Sequence, residues 1–258
     1  MKYTEISSKD NEIIKLSTSL QKSAKIRKQQ KLFVIEGLRI CLDAVQNGID
    51  FMALLVTKSA LEKHSEDLSS LELKSEKSYL LSDELFKRIS DTVNPQGIIA
   101  IAKMNERSVS APKNGRYIAL ENINDPTNLG AVTRTAEALG VSGIIITENS
   151  CDPYSPKVLR ASMGTLLRMP VYFTDSITDF AKKHGLITYA CVVDRDAKSI
   201  TDCKFENGTV LIIGNEANGV SDFTKENADY LITIKMCGKA ESLNAASAAS
   251  IAIWEMMK

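Results

Sequence analysis

The chain is poor in the residue types from which metal centres and disulfide frameworks are built. It has two histidines, His64 and His184, and five cysteines, Cys41, Cys151, Cys191, Cys203 and Cys237, an odd number with no C-x-x-C pair. That scatter predicts free thiols and argues against a structural zinc site. No apolar run approaches the roughly 20 residues of a membrane span, and the opening MKYTEISSKDNEI lacks the apolar core of a signal peptide. A cytoplasmic protein with no membrane partner is expected. Excess charge is missing too: 32 basic and 32 acidic residues balance over 258 positions, which argues against wholesale coating of nucleic acid. The phosphate-cradling patterns G-x-G-x-x-G and G-x-x-x-x-G-K-[ST] are both absent, so neither a dinucleotide-binding Rossmann domain nor a P-loop is indicated.

What is present is unevenly arranged. Residues 1–31 hold eight basic side chains against three acidic ones, a net +5 that leaves −5 for the remainder. Lys22, Lys25, Arg27, Lys28 and Lys31 cluster ahead of the first strand-like run, spaced so that several can track a phosphate backbone. The bland alternative is a solvated basic helix. The polar stretch KMNERSVSAPKNGR separates two regions of apolar periodicity and divides the chain into residues 1–104, a linker 105–115 and residues 116–258. Before the linker, LFVIEG, DFMALLV, SYLL and GIIAIA read as strands. EGLRICLDAVQNG and SDELFKRIS read as helices, the second capped by Ser82, giving a small α/β unit behind a basic helix. Beyond the linker, YIALE, GIIIT, VYFT, LITYACVV, TVLIIG and YLITI alternate with helical segments, the pattern of a second α/β domain with a mostly parallel sheet.

Three stretches of that second domain carry candidate chemistry. In NDPTNLGAVTRTAEALG, Asp125 and Asn128 are both good N-caps, Pro126 suits a first turn and Gly140 a stop. At about 100° per residue, Leu129, Val132, Ala136 and Leu139 share an apolar face, with Arg134 opposite among Gly130, Ala131 and Ala138. A guanidinium on so cleared a surface suits a phosphate, a carboxylate or a second chain. LIIGNEANGVS, taken alone, is a turn after a buried strand, with Glu216 between Gly214 and Gly219. ITIKMCGKAESLNAASAA runs from a strand through a loop into a final alanine-rich helix opened by Ser242, with Asn244 in its first turn.

In this order and spacing the three stretches strongly resemble the motifs of the SpoU, or TrmH-like, RNA ribose 2′-O-methyltransferases of the SPOUT superfamily. SPKVLRASMGTLLRMPV resembles that family's segment between the first two motifs, and KLFVIEGLRICLDAVQNG with DTVNPQGIIAIAK its N-terminal substrate-binding domain, so nearly the whole chain is covered. Lys235 departs from the usual I-P-M, and Asn215 and Ala217 from the usual G-x-E-G. The resemblance implies a deep C-terminal trefoil knot whose loops hold S-adenosylmethionine, with Gly214, Ile234, Met236, Leu243 and Asn244 around the cofactor and Asn128, Arg134, Glu216, Ser242 and Asn244 as the polar active-site set. It also implies an RNA substrate, rRNA ahead of tRNA, met by Arg134 and by Lys25, Arg27 and Lys28. A homodimer is implied as well, with Ile251, Ile253, Trp254 and Met257 of the last helix available to bury.

A ribose hydroxyl is a poor nucleophile until its proton leaves or its developing charge is stabilised. A guanidinium does not give up its proton in a protein, so Arg134 is read as an oxyanion and phosphate clamp. Asn128 and Glu216 are read as orienting partners, with Glu216 as proton acceptor the other option. Two rival readings are a SPOUT enzyme that methylates a base and a ribosome-associated binding protein that has lost catalysis.

Overall fold

Runs of Ile, Val, Leu and Ala long enough to be covered on both faces form the centre of two separate sheets, seen in a computed structural model that describes residues 3–104 and 111–258. Lys2 of the basic segment and residues 105–110 of the expected linker lie outside the described residues. The chain divides into two compact units, one of Met1–Glu106 with Tyr154–Arg160, the other of Arg107–Pro153 with Ala161–Lys258.

The first unit runs β1 (Thr4–Ile6), α1 (Glu12–Lys22), α2 (Ala24–Gln30), β2 (Leu32–Glu36), α3 (Leu38–Gln46), β3 (Phe51–Thr57), α4 (Lys58–Lys63), α5 (Ser65–Glu72), β4 (Ser78–Leu81), α6 (Asp83–Ile89) and β5 (Ile98–Lys103). Its sheet has the order β1-β4-β3-β5-β2, with β5 antiparallel to both neighbours and the other pairs parallel. Leu20, Val34, Leu55, Phe86 and Ile101 share one core cluster. Ser82 caps α6 through Leu85 N, as its sequence predicts. The basic segment is two helices where one was expected, because Ser23 closes α1 and its hydroxyl then accepts from Ile26 N to open α2.

The second unit contains β6 (Tyr117–Leu120), α7 (Pro126–Ala138), β7 (Gly143–Thr147), the end of α8 (Pro156–Ala161), β8 (Val171–Thr174), α9 (Ile177–His184), β9 (Ile187–Cys191), β10 (Lys198–Ser199), β11 (Thr209–Ile213), α10 (Asp222–Asn227), β12 (Tyr230–Thr233) and α11 (Ala245–Met257). All seven strands pair in parallel in the order β10-β12-β9-β11-β6-β7-β8. Every residue of β6, β7 and β11 is buried, as parallel strands covered on both faces require.

Two helices position the candidate site. Asp125, not Asn128, caps α7, accepting from Thr127 N at 2.8 Å, with Pro126 at the first position and Gly140 at φ +78° past the end. Asn128 lies inside the first turn and is buried. Gly130 does not belong to the cleared face of Arg134: a Cβ there would stand 2.4 Å from Ala161 Cβ and 2.8 Å from Ser162 N, so glycine lets that segment close onto the helix. Ala138 is exposed and Ala131 half-buried beside the exposed Arg134. The last helix opens at Asn244, not Ser242, since Asn244 Oδ1 accepts from Ala246 N at 2.9 Å and Ser247 N at 3.2 Å. Helix α11 packs against α7, where Thr135 and Ser250 hydroxyls meet at 3.2 Å. Ile253 is fully buried in this packing and is not available to a partner, whereas Ile251 is 43% and Trp254 61% exposed.

Candidate active site

Parallel sheets place ligands beyond the carboxyl ends of their strands, and the second unit has a cavity of ≈ 580 Å³ there. It is bordered by Cys191, Ile213 and Thr233, the last residues of β9, β11 and β12. This volume is within the range of small-molecule sites, roughly 300–1,000 Å³. Gly214, Ile234, Met236, Leu243 and Ser242 all border it; Asn244, also expected around the cofactor, is not part of its wall. Glycine is required at 214, where a Cβ would lie 2.0 Å from both Gly219 C and Val220 N. The chain folds back there because Asn215 and Gly219 exchange two backbone hydrogen bonds of 2.9 Å. Asn215 Oδ1 accepts from Ala217 N and Asn218 N at 3.0 and 3.1 Å, so this departure from the usual motif supplies its own turn.

Beside the cavity, one hydrogen-bonded chain joins the three motifs. Glu216 Oε1 accepts from Asn128 Nδ2 and Asp125 N, each at 3.0 Å, and Oε2 from Asn124 N at 3.2 Å and Asn215 Nδ2 at 3.4 Å. Asn128 Oδ1 in turn accepts from Asn244 Nδ2 at 3.1 Å. Burial pushes the Glu216 carboxyl up, but the Asn128 amide and the backbone N–H groups of Asp125, Glu216 and Asn124 outweigh it and hold the group below its usual range. Glu216 is therefore an ionised acceptor whose oxygens are occupied, which favours orientation over proton transfer as its role. Arg134 stands six positions beyond Asn128 on α7. It is exposed and has no hydrogen-bond or ion-pair partner among the described residues.

Two contributors went unread in the sequence. Glu121, buried directly after β6, accepts from Ser221 N and Oγ at 2.8 Å each and from Thr224 Oγ1 at 2.6 Å, tying the strand end to the start of α10. A carboxylate abutting a fully apolar strand is the signal that could have revealed it. Asn122 holds φ +53°, and its carbonyl accepts from Asn215 Nδ2 at 2.8 Å, linking the first motif to the second again.

In the first unit Lys25 and Lys28 are exposed, but Arg27 corrects the expectation of a basic face. It is 4% exposed, and its Nη1 donates to the carbonyls of Leu20 and Gln21. These belong to the last turn of α1, where carbonyls lack helical partners. Its guanidinium serves the α1–α2 corner rather than a phosphate.

A small-molecule cavity across three parallel strand ends, with the oriented Glu216 carboxylate at its wall and an exposed arginine on α7 of the same unit, is the arrangement of an enzyme with a ligand site of nucleoside size. Residues 115–254 match the SpoU rRNA Methylase family and residues 11–100 the MRM3-like substrate binding domain. The chain belongs to the SpoU rRNA methylase family. It is 34% identical over 254 residues to an uncharacterized tRNA/rRNA methyltransferase of Synechocystis sp., covering 97% of this chain and 92% of that one. It is 28% identical to the 23S rRNA (guanosine(2553)-2′-O)-methyltransferase RlmP of Bacillus subtilis, over 90% of this chain and 91% of that protein. The AdoMet-bound rRNA methyltransferase from Sinorhizobium meliloti superposes with a TM-score of 0.86 at 27% identity, over 98% and 97% of the two chains. Methyltransferases of this family use S-adenosylmethionine, and the cavity suits it, with apolar side chains such as Val192, Leu231, Ile234 and Leu243 for a nucleoside and polar ones beside them.

Proposed function

We propose that this protein methylates a ribose 2′-hydroxyl of ribosomal RNA, and the observation that carries the proposal is Arg134, exposed and without a partner among the described residues, in the same unit as the cavity and the Asn244–Asn128–Glu216 chain. Gly214, Ile234, Met236 and Leu243 hold S-adenosylmethionine, which supplies an electrophilic methyl group. Arg134 grips the phosphate beside the target ribose and stabilises charge developing on the 2′-oxygen; the hydroxyl proton passes to water, since neither the guanidinium nor the saturated Glu216 carboxylate is a fit acceptor. Asn128 and Asn244 keep Glu216 and the cavity loop in register with α7. Ser242, at the cavity wall, is left to contact ligand. Lys25 and Lys28 add phosphate contacts from the first unit.

The reading extends to features that the resemblance implies. The threaded trefoil knot belongs to the same reading, on the strength of the family match over residues 115–254. The Bacillus relative, a 23S rRNA enzyme matched over most of its length, supports rRNA as the target class and hence work in the cytoplasm. Among the described residues no helix is long and apolar enough to cross a membrane. Ile251 and Trp254, one turn apart on the open side of α11, support a homodimer, which light scattering at micromolar concentration tests: a monomer sinks it. The decisive experiment maps 2′-O-methylation across total RNA with and without the protein. One ribose site should vanish in its absence; loss of a base methylation instead, or no change, overturns the proposal.

A further inference from the structure

Four charged side chains border the cavity: Asp194, Glu216, Lys225 and Glu241. Two of them are spent. Glu216 is filled by Asn128, Asn215 and backbone donors, and Lys225 Nζ donates to Asp222 at 2.9 Å. Glu241 rides on the loop that ends at Asn244, which is tied to Asn128 on α7 and so to the reacting end of the site. Asp194 is placed differently. It follows β9, and in the sheet order β9-β11-β6 the strand β11 separates it from β6 and the loop leading into α7. One carboxylate oxygen accepts from Asp196 N at 2.9 Å, which fixes the side chain; the other has no partner among the described residues.

In dinucleotide-binding α/β domains an acid just past the strand beside the glycine-bearing strand accepts from the vicinal ribose hydroxyls; this chain lacks their glycine motif, but Asp194 follows β9, the neighbour of the strand that leads into Gly214. We infer that Asp194 binds the ribose diol of S-adenosylmethionine, fixing the adenosine end of the cofactor across the cavity from Arg134's side of the sheet. This rests on the methyl-donor reading of the cavity. The cavity's remaining carboxylate, Glu241, precedes Ser242 and Leu243 on the loop that leads into α11.

Calorimetry on the full chain tests the assignment with three probes: S-adenosylmethionine, S-adenosylhomocysteine and 5′-methylthioadenosine, the last retaining the ribose but lacking the amino-acid group. Asp194→Ala should weaken all three by the same factor, roughly ten-fold or more, as expected for loss of a hydrogen bond to a charged acceptor. Asp194→Asn, which keeps one carbonyl oxygen, should lose less. The 3′-deoxy form of methylthioadenosine should show a smaller penalty from Asp194→Ala than its parent. Unchanged binding of all three probes overturns the assignment, as does a loss confined to the two amino-acid-bearing ligands. If the unmodified protein binds none of them, the methyl-donor reading fails first, so the two failures are distinguishable. Unchanged thermal unfolding of the ligand-free variants confirms that binding alone is compared.

Discussion

Two arginines singled out on different helices have opposite fates. Arg27 sits in α2 among Lys25, Lys28 and Lys31, where the sequence advertises a charged, solvated face, yet it is buried against the carbonyls that end α1. Arg134 sits in α7 among small residues, where burial would cost little space, yet it is exposed and has no partner among the described residues. Composition around a charge therefore predicts its environment poorly. What decides is whether unsatisfied acceptors lie within reach: a helix end lies beside Arg27, whereas the accessible face of α7 offers nothing that would hold Arg134 before a substrate arrives.

The comparison is broken most directly at Arg134. Arg134→Ala should lower methyl transfer by about 10²–10³-fold, the typical cost of one oxyanion donor, while S-adenosylmethionine affinity stays within a few-fold. Calorimetry showing loss of cofactor binding would contradict the division of roles between α7 and the cavity. Arg27→Ala should act on stability instead, by about 1.5–3 kcal/mol for charged hydrogen bonds to carbonyls. A urea titration reads that loss; if stability is intact and RNA affinity alone falls, Arg27 contacts phosphate after all. The smallest effect belongs to Lys25→Gln with Lys28→Gln, which should leave the rate at saturating RNA unchanged and flatten the salt dependence of RNA binding by roughly 0.7 to 0.9 log units per lysine engaged. An unchanged slope would move RNA recognition off this segment.

Much of the architecture was legible because its signals are local. The runs LFVIE, FMALLV, YIAL, GIIIT and TVLII are strands where their apolar patterns place them, and Asp125 with Pro126 marks the start of α7. Features set by tertiary neighbours were not. A single apolar stripe at 100° per residue put Gly130 on the open face, because the pattern cannot show that a second segment, at Ala161 and Ser162, closes on the helix. The assignment of α11's cap to Ser242 failed for a related reason: both residues can cap, and Asn244 wins by bonding α11 with one end of its amide and Asn128 with the other. Strand β1 has three residues and β10 two, too short to carry a period, and α4 and α5 bury few residues each. In the site, motif resemblance located Gly214, Glu216 and Arg134, but the partners of Glu216 come from residues about ninety positions earlier and no local pattern names them.

The cavity wall has a consequence for the protein's survival. It is assembled from the ends of β9, β11 and β12 and the start of α11, so it ceases to exist when any of these comes apart. A ligand that binds only the assembled wall resists that separation by RT ln(1 + [L]/Kd), about 2.7 kcal/mol at a hundred-fold excess over Kd. The pool of methyl donor then sets not only how fast the enzyme can work but how long each copy withstands proteolysis, coupling the abundance of the catalyst to the supply of what it consumes.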